Sequence, residues 1–461
     1  MPQKNEIAQI RIEDMTQEGS GVGHLQDGMA VFVPHCAVGD LLEVRLIKIN
    51  KTHCFGRIEQ VLQPSADRIS PDCPVSRRCG GCVFRHVSYP AELGYKQRFV
   101  QENLRRIGHL ALQTEPILPS PLVDGYRNKA QYPIRMQQGR LTAGFFAPRT
   151  HEVIDCVSCR LQPKAFAQIL QEILDFVQEQ AISVYDEASQ TGLLRHVYLR
   201  CGQHSGEIMV CLVLNGKTLP KQELLVQRLL QREPQIVSIL LNINEQNTNV
   251  ILGAQMQRLY GKPFLTDRLC GVEFCLSPHA FYQVNHPAAE LLYGLAADYA
   301  RLDQTQTVLD LYCGAGTIGL SMAHRCKQVI GVEIVAQAVE NAIENARQNQ
   351  IENARFLCAD AAQAAAQLAA EGVRPQVVIL DPPRKGCAAA LLETVAQMAP
   401  QRVVYISCNS ATLARDCAIF AGLGYQLGRC RPVDLFPRTA HVEAVALLEK
   451  KEVRKDESKD G

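Results

Sequence analysis

A chain of 461 residues is long enough for about two or three domains, each with a hydrophobic core of its own. Its 48 Lys and Arg residues nearly balance 47 Asp and Glu residues, so the net charge of +1 excludes a uniformly basic or acidic protein. No apolar run reaches the roughly 20 residues of a membrane-spanning helix, and the first residues lack the apolar core of a signal peptide, so we expect a cytoplasmic protein without a membrane partner.

The first segment, residues 1–62, is predicted to be a small β-barrel of the oligonucleotide-binding (OB) type. Apolar and polar residues alternate in short runs that are separated by turn signals, which indicates four or five strands. Gly19-Ser-Gly-Val-Gly23 is predicted to be a turn and not a phosphate-binding loop, because no helix follows it. A proline-rich hinge that ends at Pro71 closes this unit.

Residues 63–290 are predicted to form a central α+β domain. A cysteine-rich segment is followed by a helical pattern over 91–107 and by several strand-like runs. Between Arg77 and Arg149, Lys and Arg outnumber Asp and Glu about threefold, and Tyr and Phe residues are interleaved among them. Because this mixture suits phosphate neutralisation and base stacking, we expect a nucleic-acid-binding surface here.

From residue 291 to 449 the pattern changes to a regular alternation of strands and helices. The predicted strands end at Asp310, Glu333, Leu357, Asp381, Ser407 and Arg431, and a last strand covers 440–449. This alternation predicts a Rossmann-like, doubly wound α/β sheet whose ligands lie at the carboxyl ends of the strands. The charged segment 450–461 has no apolar anchor and is predicted to be a disordered tail.

Two neighbouring strand ends predict a nucleoside site. Asp310-Leu-Tyr-Cys-Gly-Ala-Gly-Thr317 places glycines where the backbone can approach a ligand, just before a helix begins. Glu333, at the tip of the next strand, lies at about the 20-residue spacing at which a carboxylate binds ribose hydroxyls. Asp360, after the third strand, can accept a hydrogen bond from an adenine amino group. Because the glycine spacing differs from the Gly-x-Gly-x-x-Gly dinucleotide fingerprint, S-adenosylmethionine is favoured over NAD.

Cys408, directly after the predicted strand that ends at Ser407, is the predicted nucleophile. A helix beginning near Ala411 is expected to lower the pKa of this thiol through its N-terminal amide dipoles. A thiolate that adds to C6 of a uracil ring makes C5 nucleophilic towards a methyl sulfonium, after which a base must remove the C5 proton. His441 and Glu443 are the candidates for that base.

The order of these motifs resembles that of the RNA uracil-C5 methyltransferase family. The runs DLYCGAGTIGL, DPPRKG, SCN and HVE follow one another, Phe281-Tyr-Gln-Val-Asn285 is similar to the family's Phe-x-Gln-x-Asn element, and the barrel is similar to its TRAM domain. The resemblance implies Cys408 as nucleophile and Glu443 as proton acceptor in an S-adenosylmethionine-dependent reaction. The residues that it implies at the cofactor site are Gln283, Tyr312, Glu333 and Asp381, with Thr317 and Asp360 beside them. Within Tyr126-Arg-Asn-Lys129, it implies that Arg127 contacts RNA.

A group of cysteines in the central domain predicts a metal centre. Cys73, Cys79 and Cys82 lie close together in sequence, and Cys156 and Cys159 follow far downstream. Four thiolates suit either tetrahedral zinc or an iron–sulfur cluster, and the spacing alone does not separate the two. The resemblance to the ribosomal-RNA branch of the family implies a [4Fe–4S] cluster held by the first three cysteines and Cys159, rather than Cys156.

The same resemblance implies that the substrate is a uridine in 23S rRNA. Transfer-RNA members of the family generally lack both the barrel and the cysteine-rich segment, whereas this chain has both. We expect the protein to act as a monomer. A non-catalytic RNA-binding protein would explain the barrel and the basic stretch, but it would leave Cys408 and the glycine loop without a role.

Overall fold

The computed structural model describes residues 2–451, and its N-terminal part is a six-stranded sheet. The strands are β1 (Ile7–Arg11), β2 (Asp14–Met15), β3 (Ser20–His24), β4 (Ala30–Pro34), β5 (Leu41–Ile49) and β6 (His53–Gln63), in the order β1-β5-β6-β4-β3-β2. Alternate residues of β4 and β5, among them Val31, Val33 and Val44, are fully buried. Because side chains of a strand point alternately to its two faces, the sheet encloses a small apolar core.

The prediction that Gly19–Gly23 is a turn is wrong for most of that segment. Gly19 has the positive φ of a turn residue (83°), but the residues after it form β3. A Cβ on Gly21 would lie 2.2 Å from Cys36 Sγ, and a Cβ on Gly23 would lie 2.3 Å from the Arg11 carbonyl oxygen. These glycines therefore allow close packing inside the sheet.

The central part of the chain forms a seven-stranded sheet preceded by a long helix. Its elements are α1 (Tyr89–Arg106), β7 (Lys129–Gln137), β8 (Arg140–Phe146), β9 (Val153–Asp155), α2 (Lys164–Glu179), β10 (Leu194–Cys201), β11 (Ile208–Leu214), α3 (Gln222–Arg232), β12 (Ile236–Ile243) and β13 (Gln255–Gly261). The strand order is β13-β12-β11-β10-β7-β8-β9. Every residue of β10 and β11 is buried, as expected for strands covered on both faces. Val100 and Leu104 of α1 belong instead to the core of the C-terminal sheet.

The C-terminal part is a doubly wound α/β sheet, which confirms the predicted fold class. After the hairpin β14 (Leu265–Leu269) and β15 (Val272–Leu276), its elements are α4 (His286–Ala300), β16 (Thr307–Leu311), α5 (Thr317–Met322), β17 (Gln328–Glu333), α6 (Ala336–Gln348), β18 (Ala354–Cys358), α7 (Ala361–Ala370), β19 (Val377–Leu380), α8 (Ala389–Met398), β20 (Arg402–Ser407), α9 (Ser410–Gly422), β21 (Tyr425–Val433) and β22 (Glu443–Lys450). The strand order is β18-β17-β16-β19-β20-β22-β21, with β22 antiparallel to both of its neighbours. The order reverses beside β16, where a doubly wound sheet binds its ligand.

Several of the predicted boundaries differ from the structure by a few residues; the strand predicted to end at Arg431, for example, ends at Val433, and the last strand begins at Glu443 instead of residue 440. Helix α4 begins at His286, a few residues before the predicted start of the alternating pattern, and Lys450 belongs to β22 and not to the predicted tail. Residues 452–461 of that tail lie outside the described residues. The division into domains at 62, 290 and 449 stays a prediction. Across residues 2–451, none of the helices has the length and hydrophobicity that a membrane span requires.

Candidate active site

The carboxyl-terminal edge of the last sheet brings together the side chains predicted for catalysis. Cys408 directly follows β20, and Glu443 is the first residue of β22. Since the two strands are antiparallel and Ser407 pairs with Ala444, Cys408 and Glu443 are neighbours across the strand pair. Asp381 follows β19, the strand on the other side of β20.

The expectation that helix α9 lowers the pKa of Cys408 is wrong. The pKa of this thiol is raised to about 11, mainly by burial and also by the charges of Glu443 and Asp381, while Arg384 opposes them. The helix end is already capped, because the Asn409 side chain accepts a hydrogen bond from the Ala411 N–H at 3.0 Å. Burial and two nearby carboxyl groups therefore outweigh the helix dipole.

The two carboxyl groups beside the thiol also have raised pKa values. Burial raises the pKa of Glu443 to about 8, with the charge of Asp381 adding to the effect and Arg384 opposing it. Burial raises the pKa of Asp381 to about 7. Strong shifts of this kind are typical of catalytic sites.

His441 and Glu443, the two candidates for the base, differ in their surroundings. The Arg384 guanidinium donates a hydrogen bond to His441 Nε2 at 3.2 Å. The pKa of His441 is lowered to about 4, mainly by burial and also by the charge of Arg384. His441 is therefore neutral, with its accepting nitrogen occupied, so Glu443 is the group that fits a proton acceptor.

The loop after β16 and the tip of β17 are joined as expected for a nucleoside site. The Gly314 and Val335 N–H groups donate to the two oxygens of Glu333, at 3.1 Å and 2.9 Å. Tyr312, Gly314 and Gly316 all have positive φ, of 68°, 55° and 80°. A Cβ on Gly314 would meet no atom within 4 Å, so this turn leaves open space in which a nucleoside can approach the backbone.

A second group of cofactor-site candidates gathers around helix α4. The Tyr293 hydroxyl lies 3.2 Å from Thr317 Oγ1 and is also hydrogen-bonded to the buried Gln283. Burial raises the pKa of Tyr293, and the charge of Asp381 adds to this effect. Tyr293 thus joins three predicted residues. Its sequence context, one of two tyrosines in α4, gave no signal of this position.

Two acidic residues at the neighbouring strand ends have different surroundings. Asp310 is fully buried; one oxygen accepts from the Gly319 N–H at 2.9 Å, and the other has no partner among the described residues. Burial raises the pKa of Asp310 to about 7. The predicted adenine contact, Asp360, uses one oxygen to cap α7 by accepting from the Ala362 N–H at 2.9 Å. Sequence reasoning had assigned Asp310 only to the motif and not to the site.

The five central cysteines line one small cavity of about 50 Å³. They are Cys73, Cys79, Cys82, Cys156 and Cys159, and Arg85 and Arg127 lie beside them. Within residues 2–451, no three or more His, Cys, Asp or Glu side chains are already arranged around a metal position. The cysteine thiols are therefore suitable ligands for a soft metal or an iron–sulfur cluster and lie around one cavity, but their sulfur atoms are not placed at coordinating positions.

Both downstream thiols, Cys156 and Cys159, lie at the cavity. A hydrogen bond from Cys156 lowers the pKa of Cys159 to about 7. Cys159 is among the groups that raise the pKa of both Cys79 and Cys82. Its sulfur is therefore close to two of the three upstream thiols.

The cysteine-rich segment is hydrogen-bonded to the loop that leads to Glu443. The Val83 and Phe84 N–H groups donate to the Arg438 carbonyl oxygen at 2.8 Å and 3.1 Å. Lys96 of α1 donates to Asp434 Oδ1 at 2.7 Å and to the Phe436 carbonyl oxygen at 3.0 Å. The loop that leads to Glu443 is thus held in place by hydrogen bonds from residues far upstream in sequence.

Most of the aromatic rings in the basic stretch of the central domain are internal, which corrects the prediction of base stacking there. Tyr95, Phe99, Tyr126 and Tyr132 are buried, and the Tyr126 hydroxyl donates to the Pro437 carbonyl oxygen at 2.9 Å. Many of the cations are paired with carboxylates, as in the ion pair between Arg85 and Asp124. Interleaving of charges and rings in sequence therefore did not identify an exposed group of aromatic rings.

Arg127 and Lys129 differ from the paired cations around them. The Arg127 backbone bridges to Asn285 of the Phe-x-Gln-x-Asn element, and the Arg127 charge contributes to the low pKa of His441. Burial lowers the pKa of Lys129 to about 8, and the charges of Arg200 and Arg127 add to this effect. Arg127 therefore places positive charge near both the cysteine cavity and His441.

A glycine loop joined to a strand-tip carboxylate on a doubly wound sheet defines the class of S-adenosylmethionine-dependent methyltransferases. The family model described as tRNA (Uracil-5-)-methyltransferase matches residues 88–451, and the TRAM domain model matches residues 3–58. The chain belongs to the tRNA (uracil-5-)-methyltransferase family. This confirms the predicted family and the N-terminal TRAM domain.

The relatives support the same assignment over nearly the whole chain. An uncharacterized RNA methyltransferase of Halalkalibacterium halodurans is 42% identical over 97% of this chain and 98% of its own length. An uncharacterized RNA methyltransferase of Clostridium tetani is 39% identical over 96% of each chain. The solved structure of Pyrococcus abyssi tRNA (uracil-54, C5)-methyltransferase with S-adenosyl-L-homocysteine is similar with a TM-score of 0.77, 27% identity and coverage of 96% of this chain and 100% of the other. The protein is an S-adenosylmethionine-dependent RNA methyltransferase of the 5-methyluridine type.

Proposed function

We propose that this enzyme methylates C5 of a uridine in 23S rRNA through a covalent bond between Cys408 and C6 of the uracil. The observation that carries the proposal is the pairing of β20 with β22, which puts the strand-end thiol beside the buried carboxyl group of Glu443. A nucleophile next to a base with a strongly shifted pKa is the arrangement that the chemistry requires.

The residues of this site account for each step of the reaction. The Cys408 thiolate adds to C6, and the electron pair of the C5–C6 double bond moves towards the C4 carbonyl oxygen, so that C5 becomes nucleophilic. S-adenosylmethionine, which Gln283, Tyr312, Glu333 and Asp381 would hold, would give up its S–CH3 bond to C5 and leave as S-adenosyl-L-homocysteine. Glu443 then takes the C5 proton, the double bond re-forms, and the thiolate leaves.

Arg384 is the cation that favours the reactive forms of both groups. Its charge lowers the pKa of Cys408 and that of Glu443, against the effect of burial. The guanidinium also donates to His441 Nε2, and its backbone carbonyl oxygen accepts from the Asn409 side chain at 3.0 Å. These contacts position Arg384 beside the thiol before RNA binds.

Two substitutions test the mechanism. Cys408→Ala should abolish methyl transfer while S-adenosyl-L-homocysteine still binds, and Cys358→Ala, at the exposed cysteine that ends β18, should remain active. Glu443→Gln should allow methyl transfer but accumulate a denaturation-resistant protein–RNA adduct, because the C5 proton stays in place. Methyl transfer by Cys408→Ala would overturn the proposal.

The choice of 23S rRNA has one specific competitor. The TRAM domain together with the cysteine-lined cavity supports the ribosomal-RNA branch. The Pyrococcus abyssi enzyme, however, acts on uracil 54 of tRNA and aligns with 96% of this chain, so these parts do not by themselves separate the substrates. Transfer-RNA uridine is therefore the second candidate. Labelled methyl transfer to unmodified rRNA and tRNA, side by side, decides between them, and labelling of tRNA alone would refute the ribosomal target.

We propose that Cys73, Cys79, Cys82 and Cys159 hold a [4Fe–4S] cluster of structural role, since methyl transfer from a sulfonium needs no electron. The support is the shared cavity of these thiols. Protein purified without oxygen should be brown and contain iron and acid-labile sulfide. Stoichiometric zinc without iron would refute the cluster, and an intact cluster in Cys159→Ser but not in Cys156→Ser would make Cys156 the fourth ligand.

We further propose that residues 1–62, 63–290 and 291–449 are the RNA-binding barrel, the cluster-bearing domain and the methyltransferase domain of a monomer. The N-terminal sheet and one face of the central sheet each have a hydrophobic core of their own, which supports this division, whereas the other face of the central sheet shares a core with the C-terminal sheet. Light scattering of the purified protein tests the oligomeric state, and limited proteolysis tests the boundaries. A stable dimer, or cleavage inside a sheet before any boundary, would contradict it.

A further inference from the structure

Three aromatic rings form a compact cluster on one face of the N-terminal sheet. Phe32 lies on β4, and His53 and Phe55 lie on β6, where Phe32 and Phe55 are directly paired. The ring centroids are 5.3 Å apart for His53 and Phe55, 5.4 Å for Phe32 and His53, and 5.7 Å for the two phenylalanines. These distances are those of interacting aromatic side chains.

The cluster does not belong to the hydrophobic core. The core of this sheet is formed by the alternate residues, such as Val31, Val33 and Cys54, which point to the opposite face. Phe55 remains 37% exposed although it is a large apolar side chain. Folding of the barrel therefore does not explain why three rings are placed together on its outer face.

Hydrogen bonds hold the middle ring in a fixed orientation. The Asn50 side-chain amide donates to His53 Nε2 at 2.7 Å, and Thr52 Oγ1 lies 3.1 Å from His53 Nδ1. His53 meets both phenylalanines nearly edge-on, at 83° and 78°. The rings are thus ordered before any ligand arrives, which reduces the entropy lost on binding.

Positive charge lies beside the rings. Lys48 Nζ is 5.8 Å from the centroid of Phe55, and Lys51 is exposed in the turn between β5 and β6. Glu59, a carboxylate on the same strand as Phe55, is engaged by Arg45 and Arg57 at 2.8 Å each. Exposed rings next to cations suit a ligand with flat bases and phosphates, which is the chemistry of single-stranded RNA.

We propose that Phe32, His53 and Phe55 form a platform on which an unpaired base of the RNA substrate stacks, with Lys48 neutralising a neighbouring phosphate. The inference rests on the RNA methyltransferase function and adds the part of the RNA that the barrel recognises: an unpaired nucleotide outside the methylation site. It also places base stacking on the barrel, instead of on the buried rings of the central domain.

Binding of short oligonucleotides to the full-length protein tests the platform. A single-stranded oligouridylate should bind the wild-type protein more tightly than an abasic oligonucleotide of equal length, because the abasic strand keeps the phosphates but has nothing to stack. Phe55→Ala should weaken oligouridylate binding roughly five- to hundred-fold and abolish this preference. Phe55→Tyr should retain it, and Leu62→Ala, at an equally exposed apolar residue of β6, should change nothing.

The role of Lys48 has a separate readout. Lys48→Gln should lower the slope of binding against the logarithm of salt concentration by about 0.7, the value for one phosphate on a single strand. Methyl transfer at saturating RNA should be unchanged in both the Phe55→Ala and the Lys48→Gln variants, with only the KM for RNA raised.

Several results would overturn the platform. Equal binding of both oligonucleotides by the wild-type protein, or equal affinity of Phe55→Ala and the wild type, would refute it even if RNA methylation is intact. A change of oligomeric state in Phe55→Ala, without a change in RNA binding, would instead make this face a contact between copies of the chain. The methylation mechanism is tested separately by the Cys408→Ala variant. Its oligonucleotide binding should be normal, and methyl transfer by this variant would refute the mechanism without affecting the platform.

Discussion

Replacing Lys96 with Met should destabilise the protein by about 3–5 kcal/mol. The Lys96 side chain is fully buried, and its Nζ donates to Glu92 Oε1 and to Asp434 Oδ1, each at 2.7 Å. Both carboxylates are also fully buried. A methionine fills a similar volume but leaves two buried negative charges without the cation between them, and such charges are costly in a low-dielectric interior.

The expected loss is that of one broken buried ion pair and not of two, because other donors remain. The Tyr89 hydroxyl still donates to Asp434 Oδ2 at 2.9 Å, and the Arg438 N–H still donates to Glu92 Oε1 at 2.6 Å. Part of the loss should reach the active site, since Asp434 belongs to the loop that leads to Glu443. The rate of methyl transfer at saturating RNA should therefore fall as well.

Urea unfolding followed by circular dichroism measures the effect, with Arg106→Met as the matched control. Arg106 also pairs with a glutamate of α1, Glu102, but its side chain is 70% exposed, so its loss should cost less than about 1 kcal/mol. Adding Asp434→Asn to Lys96→Met should recover part of the stability, because it removes one of the unpaired charges. A loss in Lys96→Met no larger than in the control would refute the reasoning.

Three further predictions follow from the site and the barrel. The pH midpoint of Cys408 alkylation, measured by mass spectrometry of its peptide, should lie near 11 in the wild type and lower in Glu443→Gln, because the carboxylate repels the thiolate; an unchanged midpoint would contradict this. Glu443 has a pKa of about 8 in the folded protein against an ordinary 4.5, so its contribution to stability is lost as pH rises through this range. In urea unfolding, Glu443→Gln should therefore be more stable than the wild type above pH 8 but not below pH 4.5. Gly21→Ala should destabilise the N-terminal sheet by about 1–3 kcal/mol, since its Cβ would lie 2.2 Å from Cys36 Sγ. The barrel of this variant should therefore be proteolysed faster than that of the control variant Ser20→Ala.

Much of the C-terminal sheet could be predicted from local pattern alone. The strands predicted to end at Asp310, Glu333, Leu357, Asp381 and Ser407 end in the structure at the same residue or one residue away. A parallel strand that is covered on both faces reads as a short apolar run, and polar or glycine residues follow where it emerges at the ligand side. Alternation of such runs with helices determines the fold class without any knowledge of contacts.

The arrangement of the site depended on pairing that no local pattern expresses. Cys408 and Glu443 meet because β22 inserts antiparallel between β20 and β21, so its first residue reaches the edge at which β20 ends. The proximity of Glu443 to Cys408 contributes to the raised pKa of the thiol. The sequence around Cys408 indicated only a helix that was expected to lower this pKa.

The exposure of the aromatic residues was likewise decided by the tertiary structure and not by the sequence pattern. The sequence determined which residue types the chain carries: strand-end polar groups, a glycine loop, five central cysteines and a segment rich in cations and rings. Tertiary structure alone decided that Tyr126 and Tyr132 are core residues while Phe32 and Phe55 lie on an outer face. Periodicity reports short-range backbone geometry, but burial and pKa are set by groups that other strands bring into contact from far along the chain.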